Sequence, residues 1–353
     1  DGLERTVEVP DVQVVRERAR PVVGAAGNLG VDPHELLGRL IGVLADEDGV
    51  VISGAFFQGS TATIDVMVQT SGFPRGYLQG WIDYNADGDW LFVQSYNYSA
   101  WVRREAIALA PREAVRAYRD AEPYLVITGA QVDAAFEPPD DAVPDRKLDM
   151  GVRLPLADPQ RAAADGAFRV RLPVAREGRF AVGTARIAPD ADVRVGHLPY
   201  TRENLVRQAF KFLGEPYGWG HSLNARDCSG MILEVFKSVG IRLPRNSAQQ
   251  GGSPIGRTVR FAADTTAGDK LAALAAARPG DLLYADGHVM MFLGCEDGEA
   301  WVIHDTSNTG GLDGRAGQVA GGSKGVLVTP LTPAPAPGGE TYFETLYAIK
   351  TIQ

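Results

Sequence analysis

Two cysteines and five histidines stand in a chain of 353 residues. These are the side chains whose type could carry nucleophilic, acid–base or metal chemistry. Cys228 lies in "NARDCSGMILEVF", residues 224–236, between Asp227 and Ser229 and just ahead of an apolar periodic run. A thiol there could be a small core residue, a metal ligand, half of a disulfide with Cys295, or a nucleophile. Met231, Ile232, Val235, Phe236 and Val239 recur at helical spacing, and Gly240 follows at a C-cap position. The spacing therefore predicts a helix over 229–239, with Cys228 at its N-terminus or one residue before it. Unpaired N–H groups and the positive end of the helix dipole favour thiolate over thiol at such a place. The thiolate is the nucleophile. A structural cysteine would sit more naturally on the apolar face, at 231 or 235.

The histidines complete the pattern. "PGDLLYADGHVMMFLGCEDGEAWVIHDTS", residues 279–307, reads as three antiparallel strands with turns at Asp286-Gly287 and "CEDGE". His288 starts the middle strand on the face of Met290 and Phe292. His304 ends the next strand. Opposite strand directions bring the start of one beside the end of the other, so the two imidazoles meet at one sheet edge. A nucleophile at a helix start, a base and an orienting partner make a triad. His221 is expected in a Gly-rich loop outside the triad, and Cys295, after Gly294, in a turn as a bystander. Histidines and cysteines show no zinc-ligand spacing, so no structural metal site is expected, and a thiol–imidazole triad needs no cofactor.

The elements that must position these residues form several domains, as the length suggests. Residues 1–50 hold one amphipathic segment, "DPHELLGRLIGVLADEDG", with Asp32 as cap and Pro33 at its first position. They are expected to form a helical or irregular clasp. Over 51–112, "IDVMVQ", "GWIDYN", "DWLFVQS" and "AWVRR" read as short strands, and Asp87-Gly88 is a hairpin signal. A small barrel is expected there, and a second over 113–200, after the polar helix or linker 111–124. From 201 to 353 helix precedes strand, an α+β unit, whose first helix has Thr201 and Asn204 as cap candidates. Apolar residues are 45% and charged residues 22%, and the net charge is −9. That balance argues against a broad nucleic-acid footprint. No apolar run reaches membrane-spanning length.

Residues 201 to about 350 resemble the NlpC family of papain-like cell-wall cysteine peptidases. The resemblance rests on "EPYGWGHSLNARDCSGMILEVFKSVGIRLPRNSAQQ", "RPGDLLYADGHVMMFLG" and "WVIHDTS". These carry Tyr-x-Trp-Gly, Asp-Cys-Ser-Gly, Leu-Pro-Arg-x-Ser-x-x-Gln, Gly-Asp-Leu and two histidines in the family's order. "DGDWLFVQSYNYSAWV", 87–102, resembles the end of a bacterial SH3-like domain, with Ala100 where glycine is usual. One subgroup of the family places two such barrels before the catalytic domain. The resemblance thus implies a multidomain chain: two all-β SH3-like barrels followed by an α+β papain-like domain. It implies an endopeptidase that cuts the γ-D-glutamyl to L-diamino acid bond (diaminopimelate or lysine) of peptidoglycan stem peptides or muropeptides. Cys228 would be the nucleophile, His288 the base and His304 its orienting partner. Asp227 would bind the free amine of an N-terminal L-Ala, Ser229 and Ser247 the peptide backbone. Tyr217 would offer a hydroxyl, and Tyr98, with Tyr96 next, an aromatic wall from the first barrel. Arg245 and Gln249 would hold the loop after the helix, and Arg245 could also meet a substrate carboxylate. A monomer is expected, acting in the periplasm, the envelope or outside the cell, or in murein peptide recycling in the cytoplasm. The alternatives are a non-catalytic murein-binding protein, or an amidase or acyltransferase on the same fold.

Overall fold

The computed structural model describes residues 62–68, 77–82, 90–95, 97–139, 145–158, 165–176, 178–307, 324–332 and 339–352. The expected clasp over 1–50, the Asp87-Gly88 turn and Tyr96 lie outside them. The described residues fall into two compact units: one up to Val68 with Gly76–Val115 and Ala175–Phe180, the other made mainly of Arg116–Val174 and Ala181 onward.

In the first unit, β1 (Ala62–Val68) pairs antiparallel with β2 (Tyr77–Ile82) and with β5 (Ile107–Leu109). β3 (Trp90–Gln94) and β4 (Ser99–Arg103) form a hairpin. Leu91 and Val93 alternate inward, as period two requires. The Ser95 hydroxyl accepts from the Asn97 and Tyr98 amides and closes the turn. α1 (Arg112–Arg119) follows β5.

The second unit opens with β6 (Tyr124–Ile127), β7 (Gln131–Phe136), β8 (Arg146–Asp149), β9 (Arg153–Pro155), β10 (Phe168–Arg176), β11 (Arg179–Ile187) and β12 (Val193–Val195). Val132, Ala134 and Phe136 of β7 point inward between exposed neighbours. They share one apolar core with Leu125, Leu154, Leu172 and Ile187.

The rest of this unit positions the candidate chemistry. α2 (Arg202–Phe210) begins where the Thr201 hydroxyl accepts from the Asn204 amide. α3 (Cys228–Ser238) begins at an Asp227 cap and ends at Gly240, whose φ of +84 is the left-handed stop expected of that glycine. α4 (Ser247–Gly252), β13 (Arg257–Arg260) and α5 (Ala267–Ala276) precede the main strands. These are β14 (Leu282–Ala285), β15 (His288–Glu296), β16 (Glu299–Thr306), β17 (Gly325–Pro330) and β18 (Ala348–Thr351). The sheet runs β13-β18-β14-β15-β16-β17, every pair antiparallel. α2 and α3 cover the face of Leu282, Tyr284, Val289, Met291 and Ile303. Leu274 of α5, Tyr342 and Leu346 cover the face of Leu283, Met290, Phe292 and Val302. Cys295 is not in the turn expected of it. β15 continues past a bulge between Phe292 and Gly294, and the reversal falls at Asp297-Gly298, both at positive φ. Among the described residues no helix is long and apolar enough to cross a membrane.

Candidate active site

Cys228 is the first residue of α3 and 7% exposed. Asp227 fixes that helix start. Its carboxylate accepts from the Gly230 amide at 2.7 Å, the Gly220 amide at 3.0 Å and the Ser229 hydroxyl at 3.2 Å. Both Arg245 Nη atoms donate to it, Nη1 at 3.0 Å. Arg245 Nη1 also donates to the Ser229 hydroxyl. Burial alone would push the Asp227 carboxyl upward. The Arg245 charge and hydrogen bonds outweigh that and hold it below its ordinary value. Its acceptor sites are thus already engaged by protein donors, so a substrate amine could reach this carboxylate only by exchange. Arg245 holds the segment after α3, the first of the two roles expected of it. Among the described residues Gln249 makes no hydrogen bond that would hold that segment. It is exposed, and Gln250 is the buried amide, donating to the Ser229 and Pro244 carbonyls. In Ser-x-x-Gln spacing from Ser247 the glutamine is residue 250, so the signal was present.

The loop before α3 is tightly wound. Tyr217 and Arg226 bridge its ends, and Gly220, His221, Leu223 and Asn224 all adopt left-handed φ between 57 and 64. Gly218 has no room for a side chain, since a Cβ would stand 2.4 Å from the Ser222 carbonyl oxygen. His221, in this loop as expected, turns inward to Glu234 of α3, its Nε2 2.9 Å from the carboxylate. Gly230 lets it do so: a Cβ there would meet His221 Cε1 at 2.9 Å and Asp227 Oδ1 at 3.1 Å.

His288 Nε2 and His304 Nδ1 stand 2.8 Å apart. The register explains the meeting: Met291 faces Ile303, so His288 and His304 lie diagonally on one face. His304 Nε2 stands 3.0 Å from the Thr329 hydroxyl of β17. Tyr342 stacks on the His288 ring at 4.9 Å between centroids and meets His304 edge-on at 5.4 Å. Its hydroxyl is 3.2 Å from that of Thr306. Burial lowers His288 to about 4, and burial with the neighbouring His288 holds His304 well below the ordinary range. Both rings are therefore neutral at pH 7. Cys228 acts electrostatically on Tyr342 and on Tyr284, raising both phenols after the larger effect of burial. Tyr342 is thus within electrostatic reach of Cys228 and in ring contact with His288.

Of the remaining expected residues, Ser247 begins α4 and is buried, and Tyr217 is half-buried at the loop bridge. Tyr98 belongs to the first unit, beside the Ser95 turn. Sequence reasoning missed a buried ionic cluster. Arg226 is 2% exposed and donates to Asp149, Glu215 and Glu234 at 2.8–2.9 Å and to the Ala130 carbonyl. The donor atoms of Asp149, His221 and Glu234 lie within 4.8 Å of one another. That set could offer a metal three ligands, but the Arg226 guanidinium already supplies the cation its carboxylates need. Asp305, next to His304, was also missed. It is fully buried, and neither carboxyl oxygen has a hydrogen-bond partner among the described residues. Burial, then the Asp227 and Glu215 charges, push it up to about 9 against the opposing pull of Arg226. A residue two places after inward-facing Ile303 points the same way, which was the signal for it.

A helix starting at a thiol and packed on an antiparallel sheet with two coupled imidazoles is the papain-like α+β arrangement. Residues 214–319 match the NlpC/P60 family and form an NlpC/P60 domain of this chain. The bifunctional muramidase/DL-endopeptidase CwlT of Bacillus subtilis (strain 168) is 40% identical over 53 residues, 14% of this chain and 16% of that protein. A probable endopeptidase of Corynebacterium glutamicum (strain R) is 35% identical over 88 residues, 24% of this chain and 39% of that one. The chain thus spans well under half the length of either curated relative. An NlpC/P60 endopeptidase from Photobacterium damselae subsp. piscicida shares the fold with a TM-score of 0.58 at 15% identity, over 82% of this chain and 72% of that one. An NlpC/P60 family protein from Bacillus cereus ATCC 10987 gives 0.50 at 20% identity, over 78% and 81%.

Proposed function

We propose that the chain is a cysteine endopeptidase that hydrolyses the γ-D-glutamyl to L-diamino acid bond of peptidoglycan stem peptides, preferring a free N-terminal L-Ala. The observation that carries this reading is the 2.8 Å pairing of His288 Nε2 with His304 Nδ1 in a domain whose buried cysteine opens a helix. With Nε2 engaged, Nδ1 of His288 is the nitrogen left to exchange a proton with Cys228. His288, lowered by burial, is neutral at pH 7 and so able to take it.

The Cys228 sulfur attacks the γ-glutamyl carbonyl carbon as its proton passes to His288. The tetrahedral oxyanion is held by the backbone N–H at the start of α3. The C–N bond breaks as the His288 proton passes to the departing amine, leaving a thioester on Cys228. Water then adds to the thioester carbonyl and gives one proton to His288; the C–S bond breaks, the γ-carboxyl product departs and loses its remaining proton to solvent, and the His288 proton returns to sulfur. Ser229, Ser247 and Tyr217 flank the peptide. Asp227 meets the substrate amine by releasing part of its present bonding to Gly220 and Ser229. A peptidoglycan substrate points to the envelope or the cell exterior. SH3-like barrels ahead of the domain would add binding surface for the same polymer.

The test is incubation with L-Ala-γ-D-Glu-meso-diaminopimelate. Release of free diaminopimelate is expected, together with loss of release in Cys228→Ala. An intact tripeptide, or release of L-Ala instead, would overturn the assignment.

A further inference from the structure

We infer that Thr329 is a positioning residue that fixes which nitrogen of each histidine carries the proton, and so sets His288 as a base. The inference rests on the cysteine peptidase reading above. Three heavy atoms in series define it: Thr329 Oγ1 is 3.0 Å from His304 Nε2, and His304 Nδ1 is 2.8 Å from His288 Nε2. Thr329 and His304 are 1% and 0% exposed, so bulk water does not stand in for either partner.

A neutral imidazole has one N–H and one bare nitrogen. Two proton arrangements therefore fit the same atoms. In one, the Thr329 hydroxyl donates to His304 Nε2, His304 Nδ1–H donates to His288 Nε2, and His288 carries its proton on Nδ1. That ring cannot accept a thiol proton there. In the other, His288 Nε2–H donates to His304 Nδ1, and His304 Nε2–H donates to Thr329 Oγ1. Only this second arrangement leaves Nδ1 of His288 bare. It is also the only one compatible with the His288 imidazolium, whose Nε2–H requires an acceptor on His304. The hydroxyl is suited to the post because it can accept, whereas a methyl cannot. Without it the His304 Nε2–H is buried and unpaired, an arrangement that costs free energy. The chain then settles in the arrangement that disables the base. Tyr342, stacked on one ring and edge-on to the other, keeps both in the planes that permit this series.

The experiment compares wild type, Thr329→Val and Thr329→Ser in the full chain by two readouts. Long-range 1H–15N NMR of the two imidazoles reports the protonated nitrogen of each ring whether or not the chain turns over. Steady-state cleavage of the tripeptide reports kcat and KM. Wild type should show His304 protonated on Nε2 and His288 bare on Nδ1. Thr329→Val should move both protons to Nδ1 and lower kcat about tenfold with KM unchanged, the size of one lost hydrogen bond. Thr329→Ser should restore both. Wild-type His304 protonated on Nδ1, or Thr329→Val with unchanged tautomers, would overturn the inference. If the wild type shows the expected tautomers and cleaves nothing, the positioning role stands and the endopeptidase reading falls.

Discussion

Replacing Asp227 tests how the site is held together. Its carboxylate is 1% exposed, caps α3 and takes both Nη atoms of Arg245, which is itself buried. Losing a helix cap costs about 1 kcal/mol. Breaking a buried ion pair by removing one partner costs about 3–5 kcal/mol, because the other charge is left uncompensated. Asp227→Ala should therefore lose about 4–6 kcal/mol, a large fraction of the roughly 5–15 kcal/mol that holds a domain folded. Asp227→Asn keeps an oxygen for the Gly230 amide and isolates the charge, so about 3 kcal/mol is expected. Arg245→Met should cost a similar amount. The double variant Asp227→Asn/Arg245→Met should cost much less than the sum, with a coupling of at least about 2 kcal/mol. Native-state hydrogen exchange at the α3 amides reads these energies locally. Because Asp227 is held below its ordinary value, its contribution is complete above about pH 4 and is lost as pH falls further. An Asp227→Asn cost under about 1 kcal/mol, or additive single variants, would refute the reasoning.

Asp305→Asn should flatten the pH dependence of stability. The native carboxyl is raised to about 9, so its contribution is fully present below the unfolded value of 3.8 and is lost as pH rises toward 9. The asparagine removes that loss, and thermal unfolding at pH 8 should show a higher Tm than wild type while the difference closes near pH 4. Gly230→Ala places a methyl 2.9 Å from His221 Cε1 and 3.1 Å from the capping oxygen of Asp227. It should destabilise the domain by about 1–3 kcal/mol and lower kcat, measured by urea unfolding and tripeptide cleavage.

The parts legible in the sequence were those carried by local periodicity and caps. The α3 run, the Thr201 cap, Gly240 and the β14–β16 strands all follow from spacing or from an end signal within a few residues. The meeting of His288 and His304 was legible because two adjacent antiparallel strands leave little freedom of register. What stayed hidden depends on distant segments. Thr329 reaches His304 only because β17 adds to the sheet edge after a long connection. Tyr342 arrives from near the C-terminus, and Arg226 finds Asp149 across 77 residues. Cys295 was misplaced because "CEDGE" offers two turn positions, and the bulge at Phe292/Gly294 lets the strand run on to the later one.

The central claim, that Cys228 is an activated nucleophile, is tested most directly by alkylation with iodoacetamide at neutral pH, mapped by peptide mass. By accessibility alone the exposed Cys295 should react first and the buried Cys228 slowly. The account predicts the reverse order, with cleavage of the tripeptide falling in step with modification of Cys228. Labelling of Cys295 ahead of Cys228, with cleavage unaffected once Cys228 is modified, would contradict it.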